Sequence, residues 1–357
     1  MKSKYFYRYI LLISLILLIL QSCSHKEEQL GYFQFVNSAE LAICSNNFDG
    51  ALELYKKAFQ IIDKPFGKDL YNAALLSGIQ KDSLNFRKYL GKIINNLDDY
   101  RHLKQIFMFQ YGFLSEDVFQ SLLANKVVDY DSVLVKEMAF IRDRDQLFRP
   151  MYDTHMDTIE VLRKLNLNRI IELSNATGFP SHRELGYPTF MRHHDHYIVL
   201  HHTAQRRSQV KSTYDMLPLL RRAVDENRID PEIALQYLSM QNDADKSDIV
   251  RFEVRSYRHE LLPEGFAEKQ FIPKFDHDKI QKADSLRSAW SASSIKDIKK
   301  KALYLNSTSY PFIFSSVQLA VGNLKSDMSK EEILEQMEAI EYFSEPLNED
   351  LLYESNE

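Results

Sequence analysis

Histidine is concentrated in one short stretch of the chain, MRHHDHYIVLHH at Met191–His202. Imidazole nitrogens bind transition metals and exchange protons near neutral pH, so the spacing of these residues decides what the stretch can do. As a helix, it places His194 and His201 on one face, but no pair has the i, i+4 spacing by which two helical histidines share a zinc ion. As a strand, it separates His196 from His202 by about 20 Å, too far to share an ion. The stretch alone therefore predicts no metal site and no cofactor.

A metal site would need ligands from outside this stretch. His155 lies among acidic residues in YDTHMDTIEVLRKL, and zinc held by two histidines and a carboxylate is common. The candidate metal ligands are accordingly His194, His201 and His155, in a metal-dependent hydrolase. The competing interpretation is that these histidines hydrogen-bond to nearby acids and carbonyls, and the missing i, i+4 pair favours it.

A second set of candidate residues lies in VLVKEMAFIRDRDQLFRPM, where Asp145 and Arg149 are one helical turn apart. Such a pair is most often an ordinary surface ion pair. If the pair is buried beside His201, the carboxylate could orient the imidazole, or the guanidinium could bind a carboxylate of a ligand. Asp145, Arg149 and His201 are therefore the candidate catalytic residues, and Gln146 and His202 are candidate binding residues.

Common catalytic and nucleotide-binding motifs do not occur in the sequence. It has no GxSxG, no GxGxxG and no P-loop, and its two cysteines are too far apart for a CxxC motif. The net charge of −5 includes no basic excess, which argues against nucleic acid as a partner. No catalytic set is complete, so the balance is against an enzyme.

The N-terminus has the pattern of an export signal. Three basic residues precede the apolar run Ile10–Leu20, which is shorter than the roughly 20 residues of a membrane span. The run leads into LQSC, which resembles a bacterial lipobox with Cys23 at the modified position. The resemblance implies a signal peptide at 1–22, a lipid on Cys23 that attaches the protein to the membrane, and a tether at 23–34. An uncleaved anchor with an incidental Cys23 is the alternative.

The residues after Cys23 bear on the location of the protein. Ser24 stands where many inner-membrane lipoproteins carry aspartate, so we expect the outer membrane. The run Lys26-Glu27-Glu28 resembles a surface-export signal, and a charged tether explains it equally well, which leaves the membrane face open. Removal of the signal and lipidation leave Cys44 as the single thiol, so no intramolecular disulfide is possible.

The composition predicts a mainly α-helical chain of two or three domains. The 357 residues are 45% hydrophobic, and glycine and proline are sparse at ten each. We expect a helical-repeat-like region at 35–130, a helical domain at 131–245 and a C-terminal region at 246–357. The fold class of this last region is uncertain, with α+β as one possibility.

The region 35–130 contains a weak repeat. Three residue pairs are separated by 34 positions: Ala39 and Ala73, Tyr55 and Tyr89, Phe59 and Ile93. In ALELYKKAF the apolar residues form one helical stripe with charged residues opposite. This pattern resembles tetratricopeptide repeats, although most of their signature positions are missing. The resemblance implies a concave surface for an envelope protein partner, and unrelated helical hairpins are the alternative.

The region Met138–Met240 resembles an uncharacterised bacterial domain family. The matching residues are Asp145, Gln146, Arg149, Gly178, Pro180, Gly186 and one of the pair His201 and His202. The family's pattern is a DQ-x-x-R helix, a helix ending in Gly-x-Pro, a glycine in the next loop and an apolar stretch ending in histidine. Its usual Asp-Arg pair after the last helix is replaced here by SMQND. The resemblance implies a helical fold and no particular reaction.

Local sequence also predicts where several helices begin and end. Asn166 and Gly178 are expected to be the N-cap and C-cap of one helix, and Asp230-Pro231 is expected to open another. Ser115 and Ser329 are expected to be N-caps, the latter in a capping box. The aromatic stretch YPFIFSSVQLAV is either a strand or a buried helix, and the acidic tail is expected to fray.

These features favour a membrane-anchored envelope lipoprotein that acts as a binding or scaffold protein. The alternative is an envelope hydrolase, with or without a metal ion, centred on Asp145, Arg149 and His201. An enzyme requires these side chains to meet within hydrogen-bonding distance in an accessible site. A scaffold requires only a groove in the helical N-terminal region.

Overall fold

The computed structural model describes residues 31–97, 99–187, 194–204, 214–241, 253–258, 270–273, 276–323, 329, 331–335, 337 and 344–346. The expected signal peptide, Cys23 and the tether up to residue 30 lie outside the described residues, as does the tail from 347 onwards. None of the described helices combines the length and the hydropathy needed to span a membrane.

The described chain opens with two consecutive helix pairs. They are α1 (31–44), α2 (Phe48–Ile61), α3 (Gly67–Ile79) and α4 (Ser83–Asn95). Side-chain caps begin α2 and α4, where Asn47 accepts a hydrogen bond from Gly50 N and Asp82 accepts one from Asn85 N. The 34-residue offset places Ala39 and Ala73 in α1 and α3, and both are fully buried. Tyr55 and Tyr89 are also both buried, whereas Phe59 is half-buried and Ile93 is fully buried.

The first helix begins within the segment that the sequence assigned to a tether. Residues 31–34, expected to belong to it, form the first turn of α1. Tyr32 and Phe33 in this turn are buried, because both rings pack against Phe66 at the start of α3. The packed part of the chain therefore begins no later than residue 31.

Two shorter elements follow the helix pairs. A helical segment runs as an α-helix over Arg101–Leu103 (α5) and as a π-helix over Lys104–Gln110, and α6 spans Glu116–Ala124. Ser115 is the N-cap of α6, as its sequence predicts. Phe107 and Phe119 are buried and anchor these elements to the helix pairs.

The middle region is helical throughout its described residues. Its elements are α7 (Ser132–Gln146), a 3₁₀ turn (Arg149–Met151), α8 (Met156–Thr177), α9 (His182–Leu185), α10 (Tyr197–Ala204), α11 (Leu217–Asp225) and α12 (Pro231–Gln241). Proline cannot continue a helix, and Pro150 lies in the turn after α7. Pro231 opens α12, and Asp230 accepts a hydrogen bond from Glu232 N, as predicted.

One predicted helix boundary in this region is wrong. Asn166 does not cap a helix but lies in the middle of α8, fully buried. Its amide donates to the Ile141 carbonyl and accepts from Arg144, so contacts with α7 satisfy a residue that usually favours a helix start. Gly178 is the C-cap of α8 with a φ of 89°, as predicted.

The C-terminal region combines helices with a sheet. It contains β1 (Glu253–Arg258), β2 (Gln270–Pro273), α13 (His277–Ala289), α14 (Ile295–Ser307), β3 (Gln318–Asn323) and β4 (Ser344–Pro346). The strand order is β3-β1-β2-β4, with β1 and β3 parallel and the other pairs antiparallel. The VQLAV part of the aromatic stretch enters β3, and Ser329 and Glu332 make both bonds of the predicted capping box.

The described helices share one large hydrophobic core. It extends from Tyr32 in α1 to Phe314, just before β3, and includes residues from all three sequence regions. A smaller cluster around Ile272 and Ile298 joins the sheet to α13 and α14. The prediction of a mainly α-helical fold is confirmed.

Candidate functional site

Three helices of the middle region hold the residues singled out from the sequence. Helices α7 and α8 pack against each other, and α10 packs against both. On α7, the positions Met138, Ile141 and Asp145 are buried together. Their spacing of three and four residues defines one helical face, and that face is directed at the core. Asp145 therefore belongs to the buried face of α7 and not to its surface.

Asp145 is the centre of a polar cluster in which it is only 3% exposed. Its Oδ2 lies 2.5 Å from Nδ1 of His202 on α10 and accepts a hydrogen bond of 2.8 Å from Gln146 Nε2. Its Oδ1 lies 3.4 Å from Nη2 of Arg149. The Nε of Arg149 lies 3.4 Å from the Asp145 carbonyl oxygen. A buried carboxylate requires such partners, because an uncompensated buried charge is costly.

The imidazole on Asp145 is that of His202, whereas the sequence placed His201 in the catalytic set and His202 in the binding set. Neighbouring residues of an α-helix differ by about 100° in direction. Only one of the two rings can therefore be directed at Asp145 on α7. The rings of His201 and His202 lie 5.7 Å apart. The structure thus brings together Asp145, Gln146, Arg149 and His202.

The three candidate metal ligands do not form a ligand group among the described residues, where no set of three or more His, Cys, Asp or Glu side chains could hold a metal ion. His155 is the N-cap residue of α8. Its ring stacks on Phe148, and its Nδ1 lies 2.8 Å from Thr154 Oγ1. His194 precedes α10, and its ring lies against Tyr197.

Two other histidines are buried as neutral side chains. His182 at the start of α9 packs on Phe66, and burial lowers the pKa of its imidazole to about 3. His196 is fully buried beside Phe179 and Tyr197, and burial lowers its pKa well below the usual range. Both rings pack on aromatic side chains.

The residues around Asp145 can perform two kinds of chemistry. A carboxylate on Nδ1 fixes the orientation of the His202 ring and directs Nε2 away from it. Nε2 is then placed to exchange a proton or to bind a ligand atom. Arg149 adds a guanidinium, which binds carboxylate and phosphate groups through paired N–H donors. The cluster thus combines an oriented imidazole with a cation.

A second polar cluster was not predicted from the sequence. Lys301 on α14 is fully buried, and its ammonium donates to Glu40 Oε2 at 2.5 Å, Asn37 Oδ1 at 2.6 Å and Ser293 Oγ at 2.9 Å. Sequence reasoning missed it because Lys301 ends the run KDIKKK, which has the composition of a solvated helix face. Its partners lie more than 250 positions earlier in the chain, apart from Ser293.

The same cluster extends through Lys68. Its ammonium lies 2.7 Å from Asp69 and 3.5 Å from each of Glu40 and Asp230. The Tyr32 hydroxyl donates to Asp69 at 2.6 Å, and burial raises the pKa of Asp69 to about 6 against the opposing effect of Lys68. These pairs tie α1 and α3 to the start of α12, and Lys301 adds α14.

A partly open cleft borders this cluster. It is lined by Phe33, Lys68 and Glu232, among others. The cleft-lining carboxylates are each engaged by partners such as Lys301, Ser315 and Arg287. The cluster therefore has the contacts of a structural junction between the three regions of the chain.

Comparison with known proteins found no matching family model, no matching curated protein and no matching solved structure. The resemblance of Met138–Met240 to an uncharacterised domain family therefore stays a prediction. Function has to be inferred from the geometry of the chain's own residues.

Proposed function

We propose that the protein is a lipid-anchored binding protein of the bacterial cell envelope. In this proposal, Cys23 holds it in the outer membrane, and Arg149 and His202 bind a carboxylate or phosphate group of its ligand. The observation that supports the site is the buried Asp145 carboxylate, which contacts both of these side chains. Asp145 acts as a positioning residue and does not touch the ligand.

The exposure of the three side chains fits these roles. The Asp145 side chain is 1% exposed, whereas those of His202 and Arg149 are 13% and 17% exposed. Part of the His202 and Arg149 side chains therefore contacts solvent, whereas the carboxylate that orients them does not. Holding such groups in place before binding lowers the entropic cost of capturing a ligand.

The guanidinium of Arg149 uses only part of its hydrogen-bonding capacity in its contacts with Asp145. Both of its contacts with Asp145 are long, at 3.4 Å, and it makes no shorter hydrogen bond with the residues that the structure describes. An arginine has five N–H donors, and a bidentate pair with an oxyanion is among the strongest uses of them. Arg149 is thus suited to bind an anion while Asp145 limits its motion.

A hydrolase is the second candidate, and the short contact between Asp145 and His202 favours it. An imidazole held by a carboxylate can act as a general base toward water, and Arg149 could stabilise negative charge that develops on a substrate. This alternative places the chemistry on His202, whereas the sequence had placed it on His201. It requires a bound metal or a nucleophile in addition to these residues.

Isothermal titration of the purified full-length protein in detergent tests the binding proposal, with inorganic phosphate and acetate as probes. The expected result is saturable binding of at least one probe, which Arg149→Ala abolishes. Arg169→Ala is the matched control, because Arg169 is an exposed arginine on α8 that contacts Glu137 and Glu172. Equal binding by both variants, or no saturable heat with either probe, would contradict the proposal.

The same preparation tests the hydrolase alternative. Near-stoichiometric zinc, iron or manganese that is lost in His202→Ala would favour a metal-dependent enzyme. Turnover of a nitrophenyl phosphate or acetate ester that depends on both Asp145 and His202 would favour a hydrolase of either kind. Anion binding without turnover, in a protein that carries no metal, would support the binding-protein proposal over the hydrolase.

A further inference from the structure

Large apolar side chains are exposed in a regular pattern along α7 and its C-cap residue, Leu147. Val133, Phe140 and Leu147 are 74%, 59% and 61% exposed. They are seven residues apart, and a seven-residue apolar repeat places its members in one line along a helix, as in a coiled-coil seam. The buried face of α7 is a different one, formed by Met138, Ile141 and Asp145.

Helix α8 extends this apolar line into a broader surface. Arg169 on α8 binds Glu137 on α7 at 2.6 Å, and one turn further on Asn166 donates to the Ile141 carbonyl. This antiparallel register places Leu165 at the level of Phe140 and Val161 at the level of Leu147. Both α8 side chains are about half exposed, at 50% and 57%.

We call the surface formed by these five side chains the α7–α8 strip; its members are Val133, Phe140, Leu147, Val161 and Leu165. The strip presents on the order of 500 Å² of apolar surface, near the upper end of the largest patch on a typical monomer. Such patches mark interaction sites, because exposure of this area to water is unfavourable. The strip is therefore a candidate interaction surface.

We propose that the occupant is a second copy of this chain, with the two α7 helices antiparallel and crossing at Phe140. The partner's Phe140 then packs on Phe140, and Val133 packs on the partner's Leu147. A seam whose apolar positions are symmetric about a central residue is complementary to itself, as a two-fold interface requires. With its polar flanks, the strip approaches the roughly 800 Å² per partner of a standard interface.

The charges beside the seam are complementary in this arrangement. At 100° per residue, Lys136 and Asp143 lie on one flank of the seam, and Glu137 and Arg144 lie on the other. Antiparallel pairing about Phe140 places Lys136 beside the partner's Asp143 and Glu137 beside the partner's Arg144. Each flank thus meets opposite charge, which favours this pairing and its register.

The position of α8 distinguishes the antiparallel from the parallel arrangement. Helix α8 lies on the flank of α7 that carries Glu137 and Arg144, since Arg169 binds the former and Asn166 the latter. In the antiparallel pair, both α8 helices lie on the same side and face each other, so Val161 and Leu165 are also buried. A parallel pair would leave α8 of each subunit on opposite sides and its apolar residues in water.

Site-specific disulfide cross-linking of the full-length protein in membranes tests this arrangement. Phe140→Cys is expected to form a covalent dimer on oxidation. Val133→Cys and Leu147→Cys are each expected to remain monomeric alone and to cross-link when the two variants are expressed together, because residue 133 lies about 21 Å along the axis from residue 133 of the other helix. The unsubstituted chain, with Cys23 and Cys44, sets the background.

Leu84→Cys is the matched control, since Leu84 on α4 is a 78% exposed leucine outside the strip. A Phe140→Cys protein that cross-links no better than Leu84→Cys, or only to a protein of another mass, would overturn the proposal. Strong cross-linking of Val133→Cys alone would overturn the antiparallel register. As a second measurement, sedimentation should show that Phe140→Glu converts the dimer to a monomer. The helical circular dichroism should be unchanged. A Phe140→Glu protein that remains dimeric would contradict the interface.

Discussion

Asp145 and His202 are 57 positions apart in the sequence, and their side chains meet at 2.5 Å between Oδ2 and Nδ1. The contact joins the end of α7 to α10 and fixes the direction of one imidazole in the histidine-rich stretch. Gln146 and Arg149 reach the same carboxylate. The proposed binding site depends on the Asp145 carboxylate, because it positions both groups that would touch the ligand.

Replacing Asp145 by Asn should weaken anion binding without unfolding the protein. Asparagine keeps the size of the side chain but loses the charge that engages His202 and Arg149. A charge-assisted hydrogen bond contributes about 1.5–3 kcal/mol, so we expect the affinity for the binding probe to fall by roughly tenfold or more. Titration calorimetry measures the change, and an affinity equal to that of the unsubstituted protein would show that Asp145 does not position the site.

Lys301→Met should strongly destabilise the protein. Lys301 is fully buried, and its loss leaves the Glu40 carboxylate without its closest cationic partner. Removing one member of a buried ion pair costs about 3–5 kcal/mol. The double variant with Glu40→Gln should recover part of that loss, because it removes the unpaired charge. Urea denaturation measures both effects, and a single variant as stable as the parent would contradict the assigned role of the pair.

Stability should fall in acid because of His182. Burial lowers the pKa of this imidazole to about 3, from the usual 6.5. In the neutral ring, Nε2 donates to the Lys64 carbonyl at 2.7 Å, and Nδ1 is buried with no partner in the described structure. Between pH 6.5 and about 3 the unfolded chain binds a proton that the folded protein does not, so stability decreases as pH falls through this window.

His182→Gln removes the titrating group and keeps an N–H donor, so it should flatten the decrease. His196, whose pKa burial also lowers, should supply a residual slope. Denaturation curves at several pH values below 7 provide the comparison. An identical pH dependence in the two proteins would show that His182 is not buried as a neutral ring.

Cys23→Ala should abolish the lipid modification of the protein. The lipobox-like LQSC segment predicts that this cysteine carries the lipid. Metabolic labelling with radioactive palmitate should mark the parent chain and not the variant. Cys44→Ala serves as the control, and palmitate labelling of Cys23→Ala at the level of the parent would exclude a lipid on Cys23.

Local chemistry allowed several helix ends to be predicted from the sequence. Ser115, Gly178 and Asp230 act through bonds to their immediate neighbours or through their own backbone conformation, so the sequence nearby contains the information. Asn166 misled the prediction because its partners, the Ile141 carbonyl and Arg144, lie on another helix. Asparagine favours helix starts, but it is accommodated within a helix when tertiary contacts satisfy the hydrogen bonds of its side-chain amide.

The candidate site was predicted in part for the same reason. Asp145, Gln146 and Arg149 are close in sequence, so a helical turn brings them together. The choice between His201 and His202 depends on how α10 is rotated against α7, which the sequence of α10 alone does not determine. The Lys301 cluster depends entirely on contacts between distant segments, and no spacing in the chain indicates it.

The most direct test of the binding site is the ¹⁵N resonance of the His202 imidazole, recorded on histidine-labelled protein during titration with phosphate and assigned through His202→Gln. If Arg149 and His202 bind the anion, the Nε2 resonance of His202 should shift and saturate, and Arg149→Ala should abolish the shift. A His202 resonance that stays unchanged while phosphate binding is detected calorimetrically would place the anion elsewhere and contradict the proposed function of this cluster.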